Sequence, residues 1–250
     1  MLPKKQPKKK VAPPKPGVIV NCYDLKGVKK HQTKHINPYF CNHRIKVPLR
    51  GVLIGSSGSG KSNLLMNIIN QMQSTYNHIY VYTQAREPIY DFLREELPAN
   101  VLTIKYSLND LRSFPEDRYY GQSLVVLDDM VNEKDQKVIE ELYIRGRKIQ
   151  GGVSLLYLTQ SYYKVPKIVR LQCQYVFILK VSGKRDLNMM LSEYSLGTSK
   201  ERLAEMYNYA CNRHIFGDFM MIDLEAPQTE TFRHNFTEIM DGDGGAPPTR

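Results

Sequence analysis

Eight consecutive residues carry the sharpest chemistry in this sequence: Gly55, Ser56, Ser57, Gly58, Ser59, Gly60, Lys61 and Ser62. They match G-x-x-x-x-G-K-[ST], the phosphate loop or P-loop. The glycines let the backbone turn so that successive N–H groups point inward at a β-phosphate. The lysine reaches the β- and γ-phosphates, and the Ser62 hydroxyl is a ligand for Mg²⁺. Average residue usage gives about one chance match per hundred proteins of this length. The required setting is also present, an apolar run before the loop and helical spacing after it. These residues point to a nucleoside triphosphatase that binds ATP and Mg²⁺.

A second group is the acidic pair Asp128 and Asp129, closing the apolar run "SLVVLDD" at 123–129. Two adjacent carboxylates repel unless a cation lies close. Mg²⁺ on a phosphate chain is the natural partner. Asp128 is expected to hold Mg²⁺ through water, and Asp129 to accept a proton from an attacking water as general base. A kinase does not need that second acid, because the acceptor hydroxyl is its nucleophile. A third group ends the run "SLLYLTQ", where Thr159 and Gln160 suit a sensor. Gln160 is placed to hydrogen-bond the γ-phosphate or the attacking water. Arg145, Arg147 and Lys148 close the preceding helical stretch. Arg147 is the first choice for an arginine finger inserted into a neighbouring subunit's site, with Arg145 and Arg170 left open.

The elements that must position these groups follow from the apolar pattern. Buried strands are expected at 50–55, 78–84, 101–106, 123–129, 153–160 and 175–180. Helices are expected at 61–72, from Pro88 to about Leu97, at 134–147, from Pro166 to about Leu171, from Ser182 or Lys184 to about Glu193, and after a Ser199 cap. "HIFGDFMMIDL" at 214–224 reads as a closing hairpin, and "GVIV" near residue 18 as one short strand. Continuous apolar strands alternating with helices imply an α/β fold, a mostly parallel central sheet with helices on both faces. Ligands bind such sheets beyond the carboxyl ends of the strands, where all the groups named above are expected to lie.

Composition bounds the remainder. The chain has 250 residues, 42% apolar and 24% charged, enough for one sizeable core. Of the net charge of +10, six units are lysines in the first sixteen residues, which hold five prolines and no acid; +4 remains without them. Residues 1–17 therefore read as a disordered basic arm, suited to phosphates or nuclear import. Residues 18–43 form an N-terminal extension, 44–225 the ATPase domain, and 226–250 a C-terminal extension with a flexible tail. No apolar run approaches the roughly 18 residues of a membrane span, and no apolar stretch follows the basic N-terminus, so neither membrane contact nor a signal peptide is expected. The four cysteines form no CxxC pair and read as reduced thiols. Cys22, His31, His35, Cys41 and His43 are loosely grouped, but their spacing fits no zinc motif.

With "GVLIGSSGSGKSNLL", "LVVLDDM" and "RGRKIQGGVSLLYLTQSYYKVPKIVR" on view, the chain resembles the viral genome-packaging ATPases of the FtsK–HerA superfamily. It is most similar to the poxvirus A32-like group, which extends to giant viruses and virophages. The resemblance covers about Arg44 to Asp223. It implies an ASCE-type P-loop sheet, a homo-oligomeric ring, and ATP-driven translocation of double-stranded DNA, without sequence preference, into a preformed capsid. Capsid proteins would be partners, and the virion or a viral factory in the host cytoplasm or nucleus the location. Within such a ring "SYYKVPK" (161–167) is a candidate DNA contact. The second acid is often Glu in that superfamily and here is Asp129, one methylene shorter. Two other readings compete: a nucleoside or nucleotide kinase, against which the acidic pair and the lack of an arginine-bearing lid argue, and a DNA-partition or transposition accessory NTPase.

Overall fold

A computed structural model describes residues 21–29, 32–111, 121–149, 152–211 and 216–240. The basic arm, the strand expected near residue 18, His31 and the tail from residue 241 lie outside the described residues. The chain divides into two compact units, Met1–Lys34 and His35–Arg250. In the first, a 3₁₀ turn at Cys22–Asp24 is capped by the Asn21 side chain, which accepts from the Tyr23 N–H at 3.2 Å, and the short helix α1 (Lys26–Lys29) follows.

The second unit is built on one sheet. Its strands are β1 (Arg50–Ile54), β2 (His78–Thr83), β3 (Leu102–Lys105), β4 (Ser123–Asp128), β5 (Val153–Thr159), β6 (Tyr175–Ile178), β7 (Met220–Asp223), β8 (Phe232–His234) and β9 (Glu238–Ile239). The helices are α2 (Phe40–His43), α3 (Lys61–Gln71), α4 (Pro88–Glu96), α5 (Gln136–Arg145), α6 (Lys167–Gln172), α7 (Lys184–Glu193) and α8 (Lys200–Cys211). Ser199 caps α8 as expected, its hydroxyl accepting from the Arg202 N–H at 3.1 Å.

The strand order is β3-β2-β4-β5-β1-β6-β7-β8-β9. The first six strands run parallel, and β7, β8 and β9 are antiparallel additions. Every residue of β1, β4, β5 and β6 is buried, which explains their unbroken apolar runs. Alternate residues feed two cores. Leu124, Val126, Leu156 and Leu158 pack with Leu64, Leu65 and Ile68 of α3 and Tyr90 and Leu93 of α4 on one face. Val125, Leu127, Leu155 and Tyr157 pack with α5, α7 and α8 on the other. Register then aligns the strand ends: Ile54 pairs with Thr159, and Asp128 with both Leu158 and Thr83.

One expected element is different. Among the described residues of the 214–224 stretch there is no hairpin: β7 is a single buried strand pairing with β6 on one side and β8 on the other. The run Phe219–Ile222 is apolar throughout, so no polar turn interrupts it. The return comes after a 3₁₀ turn at Gln228–Glu230, and the sheet continues through Ile239. Strands of three and two residues are too short to show a period in sequence.

The β7–β8 pairing is fastened by a buried ion pair. Arg233 Nη2 lies 2.7 Å from Asp223 Oδ2, with both side chains under 5% exposed. Asp223→Ala strands the guanidinium without a counter-charge, and the unfolding free energy in urea should fall by roughly 3–5 kcal/mol. A loss below about 1 kcal/mol would show that this hairpin is not held by the pair.

Candidate functional site

The loop from Gly55 to Gly60 joins β1 to α3 and is shaped by its glycines. Gly58 and Gly60 have φ of 72° and 98°, the left-handed region that a side chain resists. A Cβ on Gly55 would come within 2.3 Å of Ser59 Oγ. The loop is tied down on both flanks. Gly55 N–H donates to Thr159 C=O at 3.2 Å, Ser56 N–H to Lys180 C=O at 3.0 Å, and Ser182 N–H to Ser56 Oγ at 2.8 Å. The first helical bond of α3 runs from Leu64 N–H to Gly60 C=O at 2.8 Å. The amides of Lys61, Ser62 and Asn63 therefore have no carbonyl one turn earlier in the helix, and they point out of its positive end. Ser59 Oγ is buried without a hydrogen-bond partner among the described residues. Lys61 Nζ meanwhile donates to the carbonyls of Gly55 and Ser56, at 2.9 and 3.1 Å. Free amides, an orphaned hydroxyl and an ammonium around one turn fit a phosphate chain.

The acids face this loop. Asp128, 6% exposed, accepts a hydrogen bond from Tyr90 O–H at 2.6 Å. Burial pushes its carboxyl up to about 6, against the Tyr90 bond, while Glu87 and Asp129 push it further. Asp129 leaves the strand in the left-handed region, φ 52°, with its N–H on Leu158 C=O at 3.1 Å. Its Oδ2 accepts from the Gln160 side-chain amide at 3.3 Å. The two residues expected to handle the attacking water thus touch each other. Burial depresses the Lys61 ammonium, and Asp128, Asp129 and Glu87 work in the opposite direction.

Two residues of this cluster escaped the sequence reading. Glu87 Oε2 accepts from the Ser62 hydroxyl at 2.9 Å, and Tyr90 holds Asp128. Glu87 occupies the N-cap position of α4, beyond the carboxyl end of β2, the neighbour of β4. An acid just before the helix-opening Pro88 was the available signal. Mg²⁺ would fall to Ser62 and Asp128. Among the described residues no group of three His, Cys, Asp or Glu is dense enough to hold a metal unaided. Mg²⁺ keeps several waters and rests on one or two carboxylates and the phosphates.

The arginines lie elsewhere. Arg147 is exposed on the 3₁₀ turn Gly146–Lys148, before β5 begins. Burial depresses the Arg50 guanidinium at the start of β1, the end remote from Gly55, and the charge of Arg147 adds to the effect. The expectation that all the notable groups sit at the carboxyl ends therefore fails for Arg145 and Arg147. The reason is the crossover: α5 carries the chain from the carboxyl end of β4 back to the amino end of β5. Arg170 is committed internally, to Glu193, to Val165 C=O at 3.2 Å and to the Tyr162 ring at 5.1 Å. In the segment 161–167, Tyr162 is buried and donates to Tyr194 Oη at 2.6 Å, whereas Tyr163, Lys164 and Lys167 are exposed. His43, from the loose Cys/His group, is buried with its ring lowered to about 4, and its Nδ1 accepts from Ile45 N–H at 3.0 Å.

A model of the poxvirus A32 protein family matches residues 38–222. The chain belongs to this family. Among curated relatives it is 25% identical over 199 residues to DNA packaging protein OPG160 of Monkeypox virus, covering 74% of this chain and 62% of the relative. It is 26% identical over 172 residues to the OPG160 protein of Vaccinia virus (strain Copenhagen), covering 64% and 63%. The chain thus spans a little over three-fifths of the length of these relatives. Among solved structures, the genome packaging NTPase B204 of Sulfolobus turreted icosahedral virus 2, in complex with AMPPCP, has a TM-score of 0.55 at 18% identity over 77% of this chain and 100% of that one. The DNA-packaging ATPase B204 of Sulfolobus turreted icosahedral virus gives 0.57 at 16% identity, over 77% and 99%. The A32 family chain therefore has the α/β fold of the P-loop packaging ATPases, with β5 standing between the phosphate-loop strand and the acidic strand.

Asp128 gives the site a measurable signature in metal-free, nucleotide-free buffer. The folded protein binds its proton up to about pH 6, whereas an ordinary carboxyl loses it near 3.8. Stability must fall as pH rises through that window, because the folded state holds the extra proton. Asp128→Asn, which still accepts from Tyr90, should raise the unfolding free energy by on the order of 1–3 kcal/mol at pH 7.5 and by little at pH 4. Equal effects at both pH values would show that the charge on Asp128 carries no folding cost.

Proposed function

We propose that this protein is an ATP-hydrolysing motor that drives viral double-stranded DNA, regardless of sequence, into a preformed capsid. Its setting would be a homo-oligomeric ring in contact with capsid proteins, in the virion or in a viral factory of the infected cell. The observation that carries the reading is the phosphate loop facing Asp128 and the bonded Asp129–Gln160 pair across one sheet edge. Family membership supports it, as do relatives named for DNA packaging. No helix among the described residues is long and apolar enough to cross a membrane.

The chemistry follows from the residues. Lys61 exchanges the Gly55 and Ser56 carbonyls for the β- and γ-phosphates. Mg²⁺, held by Ser62 and Asp128, would neutralise charge building on the phosphate oxygens. Asp129 takes the proton of the attacking water, and the Gln160 amide, donating to its Oδ2, keeps that carboxylate aimed. Arg147 lies too far along the strands to serve its own loop, so its finger role would require the neighbouring subunit. Non-specific DNA contact would use phosphate-neutralising groups such as Lys164 and Lys167.

ATP turnover by the purified protein, with and without duplexes of unrelated sequence, tests this. Duplex DNA of any sequence should stimulate hydrolysis. Asp129→Asn should cut kcat by about 10²–10⁴-fold, and Arg147→Ala by about 10³-fold. Mixing these two inactive variants should restore part of the turnover, since an intact Asp129 would then meet an intact Arg147 from the next subunit. Hydrolysis indifferent to DNA but raised by a nucleoside acceptor would replace the motor with a kinase.

A further inference from the structure

The site described so far accounts for the phosphates and the reacting water and leaves the nucleoside without a seat. The polarity of the phosphate loop says where it must go. The γ-phosphate lies toward the Lys61 ammonium and the acids, and the backbone N–H groups of the loop cradle the α- and β-phosphates. The acids belong to β4 and the Gln160 sensor to β5, both on one side of β1. The nucleoside therefore leaves toward the other side, where β6 and β7 lie.

The chain entering β7 stands there. Gly217 packs against the loop: a Cβ on Gly60 would be 3.2 Å from Gly217 Cα, and a Cβ on Gly217 would be 2.8 Å from Asn63 Nδ2. Beside it, the Phe216 ring is 69% exposed, with Cζ only 3.3 Å from the Gly60 Cβ position. A phenyl ring left in water at the α-phosphate end of a phosphate loop is an unsatisfied apolar surface. It is also held in place. Asp218 Oδ1 accepts from Asn235 Nδ2 at 3.0 Å, Phe219 N–H donates to Asn235 Oδ1 at 3.2 Å, and Phe219 is buried in the core. The Gly217 φ of 89° turns the chain between that anchor and the exposed ring.

We propose that Phe216 is the base platform of the nucleotide site, stacking on the aromatic base of the bound triphosphate; this rests on the phosphate-loop reading above. A phenyl face offers stacking and no hydrogen-bond code, so it takes purine nucleotides for their larger π-surface and separates ATP from GTP poorly.

The chain contains no tryptophan, so Phe216→Trp installs a single tryptophan reporter. Its emission should change when Mg·ATP or Mg·GTP is added and stay unchanged with Mg·tripolyphosphate. In titration calorimetry Phe216→Ala should weaken ATP about 5- to 100-fold and leave tripolyphosphate affinity as in the wild type, while Lys61→Ala weakens both. Wild-type ATP affinity in Phe216→Ala, or equal weakening of ATP and tripolyphosphate, would overturn the platform: the first makes Phe216 a surface for something else, the second makes it a prop for the loop. If wild-type protein bound neither ligand, the phosphate-loop reading itself would fall, and the platform with it.

Discussion

A single ammonium, that of Lys61, stands among three carboxylates at the sheet edge, and the rest of the site is arranged around that imbalance. Each acid takes its hydrogen bond from a neutral donor: Asp128 from Tyr90, Asp129 from Gln160, Glu87 from Ser62. Neutral donors orient a carboxylate without cancelling its charge. The cost is recorded where burial is deepest, in the raised carboxyl of Asp128. The arrangement is unfavourable for a protein left alone and favourable for one that receives a divalent cation together with a phosphate chain. Lys61 occupying two loop carbonyls belongs to the same logic, since a buried ammonium needs acceptors until phosphate oxygens replace them.

That concentration of charge is tolerable because the sheet confines it to one edge. Parallel strands in register bring Gly55, Asp128 and Gln160 to a common level although they are spread over more than a hundred residues. Before those ends the same strands run through unbroken apolar stretches, Leu124–Leu127 and Leu155–Leu158. Each crossover helix returns the chain to the opposite edge, so basic residues at the end of α5 are delivered away from the acids. Arg147 sits remote from its own loop for this geometric reason, and in the proposed ring it would serve the site of a second copy of the chain.

What could be read from the sequence divides along the same line. The phosphate loop and the acidic strand were legible because each is local: a fixed spacing in one case, an unbroken apolar run ending in charge in the other. The core strands and their helices were legible for the same reason. Glu87 and Tyr90 were not, since they lie 25 and 38 residues from their partners and meet them only through the β2–β4 pairing. β8 and β9 were hidden by their brevity, and Arg170 by a partner, Glu193, on a different helix. Residues 18–43 read only as an N-terminal extension, yet Ile36 exchanges two backbone bonds with the buried Gln122 side chain at the start of β4. Pairwise contacts across elements leave no trace in composition or period, so a single sequence withholds them.

The same contacts link the phosphate loop to the exposed segment after β5. Ser182, just before α7, is bonded to Ser56 of the loop through both its N–H and its hydroxyl. Asp186, in the first turn of α7, accepts from Ser161 Oγ at 3.1 Å and Tyr163 N–H at 2.8 Å, and Arg185 covers the Tyr163 ring at 3.8 Å. On the other side, Gln160 joins Asp129 to the residue that opens this segment. The exposed Tyr163 and Lys164 are therefore held from two directions, by the start of α7 that also grips the phosphate loop and by the strand end that grips the acid. Two short hydrogen-bonded routes thus converge on a single exposed turn, one from the phosphate loop and one from the end of the acidic strand.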